Sequence, residues 1–374
     1  MEKVLKKSVY VAMSGGVDSS VAAWLLKERG FSCVGATMRL YSNETLGLDQ
    51  ISFRESMEQS LKTCCAASDM EDAASVCGRL GIPHEIVDYK ADFRKEVIDK
   101  FIRVYEAGGT PNPCIDCNRY LKFGKMLEDA DNWGLDYIAT GHYARVERDE
   151  KSGRYLLKRG KDAAKDQSYV LYNLSQEQLS RTIFPLGELT KDEVREIAEK
   201  QGFRNAHKHE SQDICFVPDG DYAAFIERST GKVCPPGDFV EEGTGRILGR
   251  HKGVIHYTVG QRKGLGIAAG KPVFVQDINP SENTVTVGDE AGLFKKTVFC
   301  DDVNLIAADK IDEPLRAGAK LRYRMKEAPC TASMEGGRLR LDFDEPQRAP
   351  TAGQAAVLYL GDTVLGGGTI CGAV

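Results

Sequence analysis

A short glycine-rich segment near the start of the chain has the residue types of a phosphate-binding loop. It reads Ser14-Gly15-Gly16-Val17-Asp18-Ser19-Ser20 and lies between an apolar run, residues 9–13, and a helical pattern at residues 21–29. Two glycines allow a tight turn and a close backbone approach to a ligand, and a following helix start offers N–H groups to an anion. The lysine of the common P-loop motif is missing. The segment predicts phosphate binding, although an ordinary strand-to-helix corner shares part of this pattern.

A second segment combines two cysteines with two prolines. Residues 108–123 read GGTPNPCIDCNRYLKF, so that both prolines precede Cys114 and Cys117. The prolines hold a loop extended just before a helix, which places Cys117 at or near a helix N-terminus, where the dipole favours a thiolate. The same spacing occurs in zinc knuckles and redox pairs, although the other close pair, Cys64-Cys65, is adjacent rather than spaced by two. A reactive thiol, a redox pair and a metal site all stay open here.

Cys215 is a third candidate for chemistry. It lies near the end of a polar segment, residues 209–216, that reads HESQDICF. A cysteine in such a place is more often a small buried apolar residue than a catalyst. Taken together with Cys117 and the glycine-rich loop, the catalytic interpretation is favoured.

Alternating strands and helices must position these segments. Helices are predicted at residues 70–80, with Ser68 as the N-cap of a capping box, and at residues 93–105. Strands are predicted at residues 9–13, 33–38, 84–87 and 137–140. This alternation predicts an α/β fold with a parallel sheet covered on both faces. Ligands bind such sheets beyond the carboxyl ends of the strands, where the glycine-rich loop would lie.

Beyond residue 217 the pattern changes to short alternating runs that glycine and proline interrupt. At 374 residues, the chain is also too long for one ordinary core. We predict three domains: residues 1–217 with the parallel sheet, residues 218–288 as a small mixed α+β domain, and residues 289–374 as a β-barrel. Within the second, residues 273–287 read as a hairpin broken by Asn279-Pro280.

Composition narrows the class of protein. Hydrophobic residues make up 42% and charged residues 28%, typical of a soluble globular protein, and no apolar run approaches the roughly 20 residues of a membrane span. Residues 1–7 lack the apolar stretch of a secretory signal, so we expect a cytoplasmic protein without membrane contact. Eleven cysteines then point to redox, metal or nucleophilic roles. The net charge of -5 gives no global sign of nucleic-acid binding, so RNA would need local basic patches.

Several motifs, taken in order, resemble those of the tRNA-specific 2-thiouridylase family across essentially the whole chain. They are SGGVDSS, TPNP-x-x-x-CN-x-x-x-KF, TGHY at residues 140–143, KDQSY at 165–169, SQDICF at 211–216 and YTVGQRKGLG at 257–266. The first is similar to the pyrophosphatase-type (PP) loop of the adenine nucleotide alpha hydrolase-like superfamily, whose members split ATP into AMP and pyrophosphate. The resemblance implies that ATP adenylates O2 of the wobble uridine of tRNA and that sulfur then replaces this oxygen.

The resemblance implies a set of nucleotide-binding residues. The glycine-rich loop would hold the phosphates, and two residues further along would contact the adenosine. Mg²⁺ bridging the phosphates is expected, with Asp18 as a candidate helper. The implied residues are Ala12, Met13, Ser14, Gly15, Gly16, Val17, Asp18, Ser19, Met38 and Gly141.

The resemblance assigns the sulfur chemistry to Cys117 and Cys215. Cys215 would carry the sulfur as a persulfide, and Cys117 would release it as sulfide or form a disulfide with Cys215. The alternative is a [4Fe-4S] cluster held by these two residues and Cys114, with one open iron that binds sulfide. We expect the persulfide route, with a cysteine desulfurase or a sulfur-relay protein as the donor.

Binding of tRNA would bring the target base out of its stack. Residues 320–326, KLRYRMK, alternate basic and apolar side chains, which predicts a strand with four positive charges on one face. Without the family resemblance, a protected sheet edge would be the more ordinary interpretation. The candidate tRNA contacts are Asn112, Pro113, Cys114, His142, Lys165, Asp166, Gln167, Arg322, Tyr323 and Gln354. Acceptors for glutamate, lysine and glutamine are the expected substrates.

Two other classes of function compete with this hypothesis. A protein that binds tRNA and nucleotide without thiolation would need a broken loop or missing cysteines, and the sequence has neither. An amidotransferase-type synthetase of the same superfamily would keep the loop but would need neither the paired thiols nor a basic β-domain. We therefore expect a tRNA sulfurtransferase.

Overall fold

The computed structural model describes residues 6–42, 67–208 and 214–374. The chain divides into two compact units, of which the first comprises Met1–Val97, Cys114–Gly220 and Asp362–Val364. The second comprises Ile98–Pro113, Asp221–Gly361 and Leu365–Val374. Cys64-Cys65 and residues 211–213 of the SQDICF motif lie outside the described residues.

A parallel sheet forms the centre of the first unit. The first seven strands are β1 Ser8–Ala12, β2 Ser32–Arg39, β3 His84–Asp88, β4 Tyr137–Ala139, β5 Ala144–Arg148, β6 Tyr155–Arg159 and β7 Thr182–Ile183. Five of them pair in parallel in the order β3-β2-β1-β4-β7, while β5 and β6 form an antiparallel hairpin. The predicted α/β class and parallel sheet are confirmed. Because the strand order reverses between β1 and β4, a ligand crevice is expected at their carboxyl ends.

Helices of the first unit pack their apolar residues against this sheet. Among the described residues, the α-helices in chain order are α1 Val17–Glu28, α2 Ala67–Leu80, α3 Lys90–Phe93, α4 Asp99–Glu106, α5 Pro113–Asp116, α6 Met126–Asn132, α7 Gln176–Ser180, α8 Lys191–Lys200 and α9 Tyr222–Thr230, of which α4 and α9 belong to the second unit. Val21 of α1, Val76 of α2 and Val194 of α8 lie in one buried cluster with the strand residues Val9 and Val11. Burial of these side chains holds the helices on the sheet.

One of the two predicted helix starts needs a correction. Helix α2 begins at Ala67, so Ser68 lies inside the helix and the prediction of Ser68 as its N-cap is wrong, since local signals fix helix ends only to within a residue or two. The helix that carries Cys117 begins at Pro113, and Cys117 follows one turn later. Proline occupies this first position because its missing N–H would have no partner there.

In the described part of the chain, two π-helical segments interrupt the helices. Arg94–Ile98 joins α3 to α4, and Cys117–Lys125 joins α5 to α6. The predicted helix at 93–105 is confirmed in position, but neither π-helical segment was predicted. Such widened turns are rare and often occur at functional sites.

The second unit contains a small mixed sheet next to α9. Strands β8 Gly237–Glu241, β9 Ile247–His251, β10 Phe274–Asn279 and β11 Thr284–Gly288 pair in the order β10-β11-β8-β9. β10 and β11 form an antiparallel hairpin across the connection at Pro280, as predicted.

Six antiparallel strands close a barrel in the C-terminal region. They are β12 Phe294–Leu305, β13 Leu315–Lys320, β14 Ala328–Glu335, β15 Arg338–Arg348, β16 Ala355–Leu360 and β17 Thr363–Ala373. β12 pairs with both β15 and β17, which closes the ring, so the predicted β-barrel is confirmed. The exact three-domain division at residues 217 and 288 stays a prediction.

The prediction of a basic strand at residues 320–326 is wrong. β13 ends at Lys320, residues 321–325 form bends and turns, and β14 begins at Ala328. Ala319 pairs with Ala328 at the end of this hairpin, so the residues between them must make the connection. The need for a turn overrides the alternating pattern, and the four basic side chains do not share a strand face.

The structure also shows the position of Cys77. Cys77 lies in the core of the first unit, as predicted, and burial raises the pKa of its thiol to about 11.

Among the residues that the structure describes, no helix combines the length and apolar character that crossing a membrane requires.

Candidate functional site

The glycine-rich loop joins β1 to α1 at the carboxyl end of the sheet. Gly16 stands at the N-cap of α1 and has no side chain to cover the first helical N–H groups. Ser19 Oγ accepts from Ser14 N at 3.2 Å and donates to Gly16 O at 3.0 Å, and Ser20 Oγ donates to the same oxygen at 2.9 Å. These bonds fix the loop in the shape of a helix-start anion site.

Two glycines permit close approach of backbone around this loop. Gly15 has a φ of 74°, and a Cβ at this residue would lie 2.3 Å from Asp69 O. Gly141 follows β4, and a Cβ there would lie 2.9 Å from Ser19 N. The loops after β1 and β4 therefore meet where the strand order reverses. The structure thus brings Gly141 to the predicted nucleotide loop.

The Asp18 carboxylate is held by side chains from two other segments. Lys191 Nζ lies 2.8 and 2.9 Å from its two oxygens, and Tyr143 OH donates to Oδ1 at 2.8 Å. The Lys191 ammonium also lies 5.9 Å from the centroid of the Tyr143 ring. Asp18 thus connects α1 to the first residue of α8 and to the TGHY segment.

The Gly15 carbonyl is held from a third direction. Asn205 Nδ2 donates to Gly15 O at 2.9 Å, and Lys208 Nζ lies 3.5 Å from the same oxygen. Lys208 also pairs with Asp69 at 2.5 Å and Asp72 at 2.6 Å. Burial alone would lower the pKa of Lys208, but the bonds to these two carboxylates raise it above its ordinary value. Residues just before the Cys215 segment therefore support the loop.

The start of the loop is fastened to β2. Met13 N donates to Ala36 O at 2.7 Å, and Thr37 Oγ1 donates to Met13 O at 2.8 Å. Because that hydroxyl proton is already used, His84 Nε2 must donate in its 2.8 Å contact with Thr37 Oγ1. Met38, the predicted adenosine contact, is the next residue and is half-buried. It lies at the same sheet edge as the loop.

The predicted tRNA-contact motif Lys165-Asp166-Gln167 supports the TGHY segment. Gln167 N donates to Tyr143 O at 2.9 Å, and Tyr143 N donates to Gln167 Oε1 at 3.0 Å. The buried Asp166 accepts from Ser168 N at 3.1 Å and from Ser168 Oγ at 2.9 Å. Through Tyr143 this motif is connected to Asp18. Its contact with tRNA stays a prediction.

His142 is buried among aromatic rings. Its ring centroid lies 5.8 Å from that of Phe123 and 6.1 Å from that of Phe184, and Nδ1 lies 2.7 Å from Thr140 Oγ1. Burial, with a smaller effect of Lys122, lowers the pKa of His142 well below its ordinary value. The imidazole is therefore neutral at physiological pH. Contact of His142 with tRNA also stays a prediction.

Cys117 begins the second π-helical segment and is 8% exposed. Asn118 Nδ2 donates to Val170 O at 3.0 Å. Gln178 Nε2 donates to Phe123 O at 2.8 Å and so satisfies a carbonyl of the π-helical turn. These bonds fix the helical segment that presents Cys117.

Cys215 lies half-buried in a turn beyond the sheet. Tyr41, shortly after β2, donates from its hydroxyl to Cys215 O at 3.0 Å. The next residue, Phe216, is 1% exposed and meets Phe93 edge-on, with ring centroids 5.6 Å apart. The backbone at Cys215 is therefore fixed near the same sheet edge as the glycine-rich loop.

The side chains that the structure describes do not form the metal sites that the cysteine spacing left open. Cys114 is exposed, whereas Cys117 is buried and Cys215 half-buried. Within residues 6–42, 67–208 and 214–374, no three cysteine, histidine or acidic side chains form a group that could hold a metal ion. The described donors thus do not fit a [4Fe-4S] cluster. Mg²⁺ prefers oxygen ligands, but the Asp18 carboxylate is already engaged by Lys191.

In the second unit, the proline-containing segment meets a turn before β16. Thr110 N donates to Ala352 O at 2.8 Å. Gln354 Nε2 donates to Thr110 O at 2.9 Å and to Pro111 O at 3.3 Å. Two separately predicted tRNA-contact segments, Asn112-Pro113 and Gln354, are therefore neighbours in the fold.

Arg322 and Tyr323 lie in the turn between β13 and β14. The Arg322 guanidinium donates to Ala349 O, and the Lys320 ammonium lies 5.8 Å from the centroid of the Tyr323 ring. Tyr323 is 36% exposed, so its ring presents an aromatic surface to solvent. Both residues stay candidates for tRNA contact.

Sequence reasoning missed side chains that hold the glycine-rich loop, among them Thr37, Lys191, Asn205 and Lys208. A signal existed for Lys191, because it directly follows the N-cap Thr190, where helices favour acidic side chains. For Asn205 and Lys208 no sequence pattern indicated the loop, which lies about 190 residues away in the chain.

Models of known domain families match successive parts of the chain. Residues 7–219 match a tRNA methyl transferase HUP domain, residues 223–289 a tRNA methyl transferase PRC-barrel domain, and residues 295–370 an aminomethyltransferase β-barrel domain. Together they cover the parallel-sheet region, the small mixed sheet and the barrel.

Curated relatives match over nearly their full length. A protein of Clostridioides difficile named tRNA-specific 2-thiouridylase MnmA is 48% identical over 367 residues, 98% of this chain and 98% of the relative. A protein of the same name from Acetivibrio thermocellus is 49% identical over 366 residues, 98% and 99% of the two chains. One from Carboxydothermus hydrogenoformans is 47% identical over 373 residues, 99% of each.

Proposed function

The chain belongs to the tRNA-specific 2-thiouridylase family, a group of ATP-using tRNA sulfurtransferases, and we propose that it forms 2-thiouridine at the wobble position of tRNA. The observation that carries this proposal is the glycine-rich loop at the reversal of strand order, with Gly141 against its backbone. This arrangement supports binding of the ATP phosphates by the N–H groups at the start of α1. Ala12, Met13 and residues 14–19 would form the cradle, with Met38 beside the adenosine.

ATP makes the base oxygen a leaving group. In the proposed first step, O2 of the uridine attacks the α-phosphorus of ATP and pyrophosphate leaves. The new O–P bond turns O2 into part of an AMP leaving group. Mg²⁺ would compensate the phosphate charge, bound largely through phosphate oxygens and water. The helix-start N–H groups of the loop would stabilise the charge that moves onto pyrophosphate.

Cys215 and Cys117 would supply the sulfur. A donor first places a sulfur atom on Cys215 as a persulfide. In one route, the Cys117 thiolate attacks Cys215 Sγ, the S–S bond of the persulfide breaks, and sulfide leaves with both electrons of that bond. Sulfide then attacks C2 and AMP departs. In the other route, the terminal persulfide sulfur attacks C2 and AMP departs, after which the Cys117 thiolate attacks Cys215 Sγ and breaks the S–S bond, so that the sulfur stays on C2.

Both routes end with a disulfide between Cys117 and Cys215. An external thiol must reduce this disulfide before the next turnover, because two cysteine sulfurs have lost two electrons to the transferred sulfur. The donor would be a cysteine desulfurase or a sulfur-relay protein. We place the reaction in the cytoplasm, with acceptors for glutamate, lysine and glutamine as substrates.

The descriptions of the two domain models that name methyl transfer raise a second candidate reaction. The full-length relatives are named for thiolation instead, and the pair Cys117 and Cys215 has a direct use in sulfur transfer. Methyl transfer would need neither cysteine. We therefore favour sulfur transfer.

The decisive experiment is a reaction with defined components. Unmodified tRNA is incubated with the protein, ATP, Mg²⁺, a persulfide donor and a reducing thiol, and its nucleosides are analysed by mass spectrometry. We expect one 2-thiouridine and one AMP per turnover, both dependent on ATP and donor. ATP cleavage without any thiolated base would reject the proposal.

A further inference from the structure

Lys191 lies where two electrostatic effects disfavour a lysine side chain. It is the first residue of α8, where the helix dipole presents its positive end and disfavours a cation. Its side chain is 6% exposed, so most of its charge is removed from water as well. A residue placed against two electrostatic preferences requires a specific compensation.

The position of Lys191 is also well fixed. Thr190 Oγ1 accepts from Glu193 N while Glu193 accepts from Thr190 N, which closes a capping box at the start of α8. Lys191 N donates to Asp162 Oδ2 at 2.9 Å. The backbone that carries the lysine is therefore rigid, and its ammonium is directed at both oxygens of Asp18.

The negative charge of Asp18 opposes binding of a polyanion at the loop, and the Lys191 ammonium compensates this charge. Asp18 lies in the first turn of α1, beside the N–H groups that would receive the phosphates, and its side chain is 29% exposed. A negative carboxylate at that place stabilises the helix start but repels a polyanion. If the pair only fastened α8 to α1, apolar side chains of similar size would do so without desolvating two charges.

We infer that Lys191 is a positioning residue of the ATP site that neutralises Asp18 and so keeps the glycine-rich loop able to accept a triphosphate. The inference rests on the proposed use of ATP. Lys191 takes the electrostatic place of the lysine that this loop lacks, but it acts through Asp18 and α1 rather than on the phosphates. Tyr143, which also donates to Asp18, holds the carboxylate in the position where this neutralisation works.

A charge-balance experiment tests the inference. Equilibrium binding of ATP is measured in EDTA, to exclude Mg²⁺ effects, for the unaltered protein, Lys191→Met, Asp18→Asn and the double variant. Lys191→Met should weaken ATP binding roughly tenfold to hundredfold, the scale of one unscreened charge interaction near a protein surface. The double variant, which removes both charges, should recover most of this loss and bind ATP at least about fivefold more tightly than Lys191→Met.

Lys161→Met is the matched control. Lys161 pairs with Glu193 in the first turn of the same helix, 3.3 Å away, whereas the ion pair of Asp18 is with Lys191. It should bind ATP normally, and melting curves of all variants show whether each one folds. If the two substitutions only damaged the fold, their losses of ATP affinity would add in the double variant. If Lys191 neutralises Asp18, the double variant should instead recover ATP affinity.

Each outcome decides the inference. Normal ATP binding by Lys191→Met, or a double variant as weak as Lys191→Met, overturns it. If Lys191→Met does not fold, the double variant decides by comparison with Asp18→Asn, and failure of both lysine variants to fold also overturns it. If the unaltered protein does not bind ATP, the proposed function itself fails, which is a separate result.

Discussion

The glycine-rich loop and the two cysteines of the first unit are held in different ways. Side chains from distant parts of the chain bond directly to loop atoms: Lys191 to the Asp18 carboxylate, and Asn205 to the Gly15 carbonyl. Cys215 is held through its backbone oxygen by Tyr41 and through the packing of its neighbour Phe216. Cys117 is carried by a helical segment whose carbonyls are satisfied by other side chains.

Because of this difference, substitutions in the loop and substitutions of the cysteines should affect different steps of the reaction. The loop owes its shape to bonds on its own atoms, so a change in the loop alters the shape that would bind ATP. The bonds described for the cysteine segments act on the backbone oxygens of Cys215 and Phe123, so a Cys→Ser replacement should leave these bonds in place. The comparison predicts that loop variants lose nucleotide binding, while cysteine variants keep it and lose only sulfur chemistry.

The largest expected effect is the loss of 2-thiouridine formation when either cysteine is replaced, because the two cysteines have different roles in sulfur transfer. Cys215→Ser and Cys117→Ser should each abolish 2-thiouridine formation, with ATP binding retained. With a ³⁵S-labelled persulfide donor, Cys117→Ser should still take up label on Cys215, whereas Cys215→Ser should not. Label is measured on the protein after gel electrophoresis without reducing agent. Full thiolation by either variant, or loss of ATP binding in both, would contradict the comparison.

The next effect concerns the loop itself. Gly15→Ala forces an L-residue to a φ of 74° and places a Cβ 2.3 Å from Asp69 O, so the loop must move. We expect ATP binding to weaken at least roughly 100-fold, about 2.7 kcal/mol or more. Gly30→Ala is the matched control, because Gly30 also has a positive φ, 85°, but a Cβ there meets nothing within 4 Å.

Gly30→Ala should cost about 1 kcal/mol of stability and leave ATP binding unchanged. Calorimetry of ATP binding and thermal melts of both variants provide the measurement. Equal ATP affinity of the two glycine variants would show that the loop tolerates displacement and would remove the contrast with the cysteines.

A smaller effect is expected in the second unit. Gln354→Ala removes the donors to Thr110 O and Pro111 O, which should loosen the segment that carries Asn112. We expect tRNA binding to weaken roughly threefold to tenfold, about 0.7–1.4 kcal/mol, with ATP binding unchanged. Gln347→Ala is the control, since Gln347 donates to Glu345 O on β15. Unchanged tRNA affinity in Gln354→Ala would show that the bonds from Gln354 to Thr110 O and Pro111 O are not needed for tRNA binding.

The smallest effect is a pH dependence of stability from His142. Its pKa is lowered in the folded state, so the neutral imidazole is stabilised and the full contribution is present above the unfolded pKa of about 6.5. As the pH falls below that value, the unfolded chain binds a proton that the folded chain does not, and stability decreases by up to about 1.4 kcal/mol per pH unit.

His142→Asn should lack this part of the decrease, which urea unfolding at pH 7 and pH 5.5 measures. The exposed His207→Asn serves as the control and should unfold like the unaltered protein. Identical pH slopes for His142→Asn and the unaltered protein would mean that the imidazole is protonated when folded.

Much of the fold could be predicted because its signals are local. The strands at residues 9–13, 33–38, 84–87 and 137–140 are apolar runs between helical patterns, and each is found within a residue or two. The basic stretch at 320–326 shows the limit of such signals. Its alternation suits a strand, but the pairing of Ala319 with Ala328 requires a turn there. A local pattern contains no information about which partner strand follows.

The candidate site divides in the same way. The residue types and order of the glycine-rich loop, Cys117 and Cys215 were evident in the sequence, because the chemistry requires those side chains. The sequence therefore determined the reaction class, the α/β fold and the C-terminal barrel.

Only the tertiary structure decided which residues hold this machinery in place. Lys191, Asn205 and Lys208 reach the loop across 173, 190 and 193 residues of chain, and Gln354 reaches Thr110 across 244. Such contacts depend on how the strands are ordered and how the helices pack on them. The physical reason is that a hydrogen bond needs a partner within about 3.5 Å in space, a condition that spacing along the chain does not specify.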